Sequence, residues 1–354
     1  MALLQVCRMD ELRVLLTAAG CPGAAPVIRQ LKQVDERSVK IIGTDIDQYK
    51  IGAHWCDRFH LVPRGTSPEF IPRLLEIIEL ERPHVLFPQS SSEIIAIASN
   101  SELLEAAGTR VMVASERTVK ISENKAELYS FFEDSPVKVP EFRHISSLEQ
   151  FVSSSEELGY PDNPVCFKPP FSKGSRGFRI LSEDVSRKEI ILKQRPFSYF
   201  ISMNEFMDVF GEDDDFPELL VMEYVQGIDC TTDPLTRNGD VLLCPIKSRH
   251  NERCGLPMKF IQVESPELLE STRHIVKALD LDWIVNAQFI GEYLIELNPR
   301  ISTQIFAPAL NIPYLAIKLL LEEITPDEVR DCSSKIKIGQ TSVRYYNQIF
   351  FDDN

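Results

Sequence analysis

The chain contains no apolar segment approaching the roughly 18–20 residues that a membrane-spanning helix needs. Its longest apolar stretches, LLVMEYV at 219–225 and YLAIKLLL at 314–321, are each cut by a charge. The start, MALLQVCRMDELRVLL, sets Arg8, Asp10, Glu11 and Arg13 among its apolar residues. That is not a secretory h-region, so a short extension before the first strand is expected. Eight cysteines, at 7, 21, 56, 166, 230, 244, 254 and 332, form no C-x-x-C pair. Neither a disulfide framework nor a zinc clip is indicated, and a reducing cytoplasm is the expected setting. Basic charge is short as well: 38 Lys and Arg stand against 53 Asp and Glu, a formal net charge of −15. This excludes a broad nucleic-acid surface and leaves small molecules as the expected partners, with neither nucleic acid nor membrane. The G-x-x-x-x-G-K-[ST] spacing of a Walker A loop is missing, and so are internal repeats and low-complexity tracts.

What is present fills 354 residues, enough for two or three packed units. LRVLL, VKIIGTDID, HVLFPQSS and TRVMVAS read as four buried strands, separated by TAAGCPGAAPVIRQLK, PEFIPRLLEIIELERP and IIAIASNSELLEAAG, which read as helices. The alternation predicts a doubly wound parallel sheet with helices on both faces over residues 1–115. From Ser115 the texture changes. Extended runs, hairpin turns such as Asn238-Gly239, and an amphipathic helix capped by Ser265 predict α+β structure with antiparallel sheets over 116–330. A strand-rich tail is expected over 331–354.

Three clusters carry chemistry. In IELNPR, Glu296 and Asn298 lie two apart on a strand and share a face, with Arg300 following at its mouth. A carboxylate, an amide oxygen and a guanidinium suit Mg²⁺ holding phosphates, because the hard cation prefers oxygen ligands. Whether Gln288 joins them depends on the hairpin. A two-residue loop at Gly291-Glu292 would pair Gln288 with Ile295 and turn it away, whereas a three-residue loop or a bulge sets Gln288 opposite Glu296 and Asn286 opposite Asn298. The second arrangement is the expected one.

The next cluster is FKPPFSKGSRGF. Lys168 sits inside an apolar strand, a costly place for a cation unless an anion meets it. The loop after it, with Ser175, Arg176 and Gly177, offers glycines and N–H groups for a flap over a triphosphate. In LVMEYVQGID, an apolar strand with a polar exit suits an adenine slot, with Glu223 at the base and Asp229 at the ribose. Taken singly, each cluster also matches an ordinary surface strand or basic hairpin. IKSRHNERCG adds Lys247 and Arg249, alternating with Ile246 and Ser248 and so sharing one face, as candidates for gripping an acid.

Taken in order, ENK, FKPPFSKGSRGF, MEYVQGID, NAQF and IELNPR resemble the ATP-grasp superfamily. The likeness is strongest to single-module proteins similar to half of the carbamoyl phosphate synthetase large subunit, and it spans nearly the whole chain. It implies an N-terminal pre-ATP-grasp domain at 1–115 and an ATP-grasp domain at 116–330, with a flap lobe near 136–222 and a metal-binding lobe near 223–330. It also implies that Lys125 and Lys168 contact the ATP phosphates, that Glu223, Tyr224 and Val225 line the adenine, and that Asp229 meets the ribose. Gln288, Glu296 and Asn298 would hold Mg²⁺, or Mn²⁺ in its place, with Arg300 aimed at the transferring phosphate. The implied reaction activates a carboxylate, an amino acid or a related small acid, as an acyl phosphate that an amine captures. Pro170, Phe171 and the short acid at 229 depart from the usual pattern.

Carbamoyl phosphate synthesis is not expected of this chain by itself, since no second module and no glutaminase nucleophile motif is visible. Two rivals remain. A dinucleotide-dependent dehydrogenase would use AAGCPG and Asp45, but Gly20 and Gly23 do not complete G-x-G-x-x-G and the ELNPR cluster is left without a task. An ATP-grasp scaffold that binds nucleotide without turnover is the other, although Lys168, Glu296 and Asn298 are all intact. A homodimer is the default assembly.

Overall fold

The computed structural model describes residues 9–172, 176–193, 198–211, 215–253, 256–304 and 309–351. The first sheet is built from β1 (Glu11–Leu16), β2 (Ser38–Asp45), β3 (Arg58–Leu61), β4 (Val85–Phe87) and β5 (Arg110–Val111), in the spatial order β3-β2-β1-β4-β5. All its pairs are parallel. The chain lays β2 and β3 on one side of β1, then crosses to lay β4 and β5 on the other. The crevice between the C-terminal ends of β1 and β4 is thus the switch point of a doubly wound sheet. Helix Ala24–Lys32 buries Ala24, Val27, Ile28 and Leu31, the spacing of a single helical face. Helix Phe70–Glu81 stops where Arg82 takes a left-handed conformation ahead of Pro83.

The sequence reading differs from the structure at a few elements. The basic-aromatic stretch after β2 supplies β3, an edge strand too short to show periodicity. IIAIASNSELLEAAG is two helices, Ser91–Ser99 and Ser101–Ala106, divided at Asn100. The helical stretch after Ser115 is likewise two, Glu116–Glu123 and Lys125–Phe132, because the Asn124 side chain accepts from the N–H groups of Ala126 and Glu127 and starts a new helix.

The second sheet comprises β6 (Phe142–Ile145), β7 (Val165–Lys168), β8 (Arg179–Leu181), β9 (Phe200–Ile201) and β10 (Leu219–Glu223), ordered β6-β10-β7-β8-β9. Phe151, Phe167 and Phe206 form its core, with the rings of Phe151 and Phe206 stacked 3.7 Å apart.

The chain then runs through β11 (Asp229–Thr232), β12 (Leu235–Arg237), β13 (Asp240–Leu243), β14 (Ile246–Arg253), β15 (Leu256–Val263), β16 (Trp283–Ile284), β17 (Asn286–Ile290), β18 (Tyr293–Asn298) and β19 (Thr341–Val343). Six of these make a third sheet, β18-β17-β11-β14-β15-β19, and three a small one, β13-β12-β16. Helix Pro266–Ala278 is capped by Ser265 as expected and packs Leu268, Ile275 and Val276 in one core with Ala287, Phe289 and Leu297. That core covers one face of the third sheet. The tail is not rich in strand. Beyond the end of helix Pro326–Asp331, its described part holds one turn of 3-10 helix and the three residues of β19.

Contacts of long sequence separation join the first sheet's layer to the rest. Arg37 donates to both carboxylate oxygens of Glu323, at 2.7 and 2.6 Å, with both side chains buried. Asn311 donates to the Gln30 carbonyl at 2.7 Å. A Cβ on Gly23 would stand 3.1 Å from the Thr303 backbone, so only the bare glycine allows this approach without a shift.

Candidate active site

Strand register places the polar residues. Glu296 stands opposite Gln288, Gln288 opposite Thr231, Thr231 opposite Lys247, and Lys247 opposite Gln262. Cross-strand partners share a face, so these five residues form one row across β18, β17, β11, β14 and β15. Side chains two residues away along each strand point the same way, which adds Asn298, Asn286, Asp229 and Arg249. The opposite face carries Ala287, Phe289 and Leu297 into the core. One side of the third sheet is therefore packed and the other is a polar platform.

The register depends on a bulge. Gln288 pairs with Glu296 but Phe289 pairs with Leu294, leaving Ile295 extra on β18. Of the two hairpins the sequence allows, this is the expected one. The Ile295 carbonyl accepts the Tyr129 hydroxyl at 2.7 Å, and that hydroxyl accepts from the Lys168 ammonium at 3.4 Å. Lys168, at the end of β7, is thereby linked to the bulge beside Glu296 on β18, close enough for the two charges to act on each other. Burial, reinforced by the charge of Lys125, pushes the Lys168 ammonium down to about 8, while Glu296 pulls the other way. Lys125 is also buried, and its ammonium donates to the Ser172 carbonyl at 2.8 Å.

The arginines are engaged with the candidate metal ligands. Arg249 Nη1 donates to Gln288 Oε1 at 2.6 Å and to Asp229 Oδ1 at 3.2 Å. Arg300 donates to Asn298 Oδ1 at 2.9 Å, to Ser91 Oγ at 3.2 Å and to the Ile301 carbonyl at 2.8 Å. Arg300 thus ties the end of β18 to the helix that follows β4. Lys247 departs from its expected role. Its ammonium pairs with Asp233 at 2.5 Å and donates to the Gln304 carbonyl at 2.7 Å, both side chains buried. It anchors the loop after NPR and is not a cation open to an acid substrate. Arg249 shares its face as predicted, but it lies between the ribose and metal candidates.

At the nucleotide end, the Glu223 carboxylate accepts from the Glu141 N–H at 3.0 Å. Glu223, Tyr224 and Val225, the adenine candidates, are half-buried. Burial pushes the Asp229 carboxyl up to about 6, against the pull of Arg249. Ser175 lies outside the described residues. Arg176 is exposed, and Gly177 adopts φ +74° where a Cβ would meet the Pro169 ring at 2.6 Å, so glycine is required there. Asp45, the ribose acid of the dehydrogenase reading, accepts instead from the N–H groups of Gly20 and Ile46, both at 2.8 Å.

A divalent ion fits the donor set. The Glu296 carboxylate accepts no hydrogen bond among the described residues and is half-buried, beside the amide oxygens of Gln288 and Asn298 on the same platform. One carboxylate with neutral oxygens is the set that Mg²⁺ uses when phosphates complete its shell.

Sequence reasoning missed Tyr129, Ser91 and Arg344. Arg344 follows β19, where its N–H donates to the Met258 carbonyl at 2.8 Å. Its guanidinium donates to the Thr303 carbonyl at 2.8 Å and hydroxyl at 3.1 Å, while its Nε is buried without a partner among the described residues. No carboxylate pairs with it among the described residues, and burial with the nearby Arg249 charge lowers its pKa. No motif marks it. Its parity with Ser342, opposite Phe260 on β15, is the only signal, and that needs the sheet.

Comparison with known proteins agrees with this architecture. Residues 215–343 match the family model described as "ATP-grasp in the biosynthetic pathway with Ter operon", a span that reaches from the approach to β10 to the end of β19. The large chain of carbamoyl phosphate synthase from Clostridium botulinum (strain Kyoto / Type A2) is 22% identical over 281 residues, covering 75% of this chain and 23% of the relative. The chain spans about a quarter of that curated relative's length. Biotin carboxylase from Campylobacter jejuni, solved as a β,γ-ATP complex, superposes with a TM-score of 0.66 at 15% identity, over 93% of this chain and 74% of that one. L-amino acid ligase from Bacillus licheniformis gives a TM-score of 0.63 at 13% identity, over 94% and 79%. The chain has the ATP-grasp fold.

Proposed function

We propose that this chain is an ATP- and Mg²⁺-dependent ligase that activates a small carboxylate, an amino acid or a related acid, as an acyl phosphate for capture by an amine. The observation that carries the reading is the hydrogen-bonded link from Lys168 through Tyr129 to the bulge at Ile295, which sets Glu296 opposite Gln288 with Asn298 on the same face. That neighbourhood combines hard oxygen ligands with a buried cation, as a triphosphate requires. The nucleotide-complexed biotin carboxylase and the amino acid ligase among the structural neighbours support it.

The residues divide the work by chemistry. Lys168 and Lys125 neutralise phosphate charge, and the main chain from Glu223 to Val225 meets the adenine. Gln288, Glu296 and Asn298 would hold Mg²⁺, which when bound supplies charge neutralisation at the transferring phosphate. Oxygens given to a metal are withdrawn from Arg249 and Arg300, leaving both guanidiniums to meet anions. Arg344 and Arg249, on the same sheet face, grip the acid. A carboxylate oxygen then bonds to the γ-phosphorus as ADP leaves. The amine nitrogen next bonds to the acyl carbon, inorganic phosphate departs and the nitrogen loses a proton. Closure over the cleft keeps water from the acyl phosphate.

One observation favours a second reading. The two arginines sit on the candidate metal ligands, as suits a nucleotide-binding scaffold without turnover. Mg²⁺-dependent ADP release across paired pools of amino acids and amines separates the two. Release with one pair supports the ligase, and tight ATP binding with no release under any pair supports the scaffold.

A further inference from the structure

Tyr129 is 0% exposed on helix Lys125–Phe132, four residues after Lys125 and so on the same helical face. Its position would pass for ordinary core packing, since its ring meets Phe142 of β6 edge-on at 5.6 Å. The hydroxyl does more than fill space. A carbonyl cannot donate, so the hydrogen bond to Ile295 commits the tyrosine's only proton. What remains toward Lys168 is an oxygen lone pair, which can only accept. The ring lies below the same ammonium, with Nζ 5.5 Å from its centroid. Tyr129 therefore presents two features that favour a cation at that point, in a buried place where desolvation disfavours one.

The connection also spans three elements. The helix touches the loop after β7 at its start, where the Lys125 N–H donates to the Pro170 carbonyl at 3.2 Å. One turn on, it reaches β7 through Lys168 and β18 through the bulge that turns Glu296 toward Gln288. No other described side chain hydrogen-bonds both the Lys168 ammonium and the β18 main chain.

We propose that Tyr129 is the positioning residue of the phosphate site, holding the Lys168 ammonium and the Ile295 bulge in one fixed relation so that cation and Glu296 address the same triphosphate. The inference rests on the nucleotide half of the ligase reading and on nothing about the acid or the amine.

Its test needs no turnover. Titrations of Mg·ATP and of adenosine are compared for the parent and for Tyr129→Phe, which keeps the ring and removes the hydroxyl. Mg·ATP affinity is expected to fall about tenfold or more, the weight of a hydrogen bond to a charged group, with adenosine affinity unchanged. An equal loss for both ligands would make the hydroxyl a general structural prop, and no loss for either would make it idle. Each result overturns the proposal. In a Lys168→Gln background the same change should alter Mg·ATP affinity by less than about twofold, since the two residues act as one unit. An undiminished further loss there also overturns it. A parent protein that binds no Mg·ATP refutes the ligase reading itself, and that result is seen before any variant is made.

Discussion

Gln288 faces Glu296 across a hairpin that carries one residue too many, and the surplus residue, Ile295, offers its carbonyl to Tyr129. Removing the surplus would slip β18 by one position and turn every side chain beyond it to the wrong face. The candidate metal ligands and Lys168 thus depend on the same irregularity.

Glu296→Ala removes the one carboxylate of the candidate ligand set. Mg²⁺-dependent ADP release should fall to background while the far-ultraviolet circular dichroism and the unfolding midpoint stay near those of the parent. Parent-like turnover in this variant would assign the metal elsewhere.

Arg344→Gln and Arg249→Gln should separate by kinetics. The Arg344 guanidinium donates to Thr303 in the loop after NPR, so its loss should raise the KM of the acid about tenfold or more and leave that of ATP unchanged. Arg249 bonds both Asp229 and Gln288, and its loss should raise both constants. If Arg344→Gln moved the ATP constant as far as the acid constant, it would not belong to the acid pocket.

The Lys247–Asp233 pair is buried on both sides, at 1% and 8% exposure. Lys247→Met strands a buried carboxylate and should cost about 3–5 kcal/mol in chemical denaturation. Adding Asp233→Leu should recover most of the loss. If the double variant were no better than the single one, the pair would not be the unit of stability.

Glu93, near the N-terminus of helix Ser91–Ser99, gives a pH prediction. Burial, with the charge of Asp45 adding to it, pushes its carboxyl up to about 7, against a nearby Thr17 hydroxyl. The folded state then holds this proton more tightly than the unfolded chain does. Its contribution to stability is complete below the ordinary carboxylate range and is lost as pH climbs from about 4.5 to about 7, on the order of 3 kcal/mol in all. Asp229, raised to about 6, acts in the same direction. Glu93→Gln should flatten the fall in unfolding free energy between pH 5 and pH 8 and stabilise the protein at pH 8. An unchanged slope would refute the assignment.

The chain reveals its fold and its site unequally. The apolar runs of β1, β2 and β4 and the hairpin turns are local signals, and the sheets form where those signals fall. The Gln288–Glu296 register was readable because only one of two loop geometries aligned three oxygen ligands. Lys247 misled for a physical reason. A cation on the right face looks available until its neighbour is known, and Asp233 is 14 positions away by chain order but beside it in the sheet. Tyr129 was invisible because its partner carbonyl lies 166 residues on and exists as an open acceptor only through a bulge. Arg344 sits in a tail with no periodicity, and its meaning comes from β19 joining the sheet's edge.

The double-pronged contact of Arg37 with Glu323 and the seating of Gly23 on Thr303 weld the first sheet's layer to the segment between β18 and β19. The β6–β10 plate shares one core with the third sheet, where Cys166, Leu220 and Met222 pack with Ala287, Phe289 and Leu297. Lys168 ends a strand of that plate and Glu296 lies on a strand of the third sheet. Tyr129 bridges the two elements, so a pair of probes set beside Lys168 and Glu296 should register the loss of the hydroxyl in Tyr129→Phe as a change in one distance.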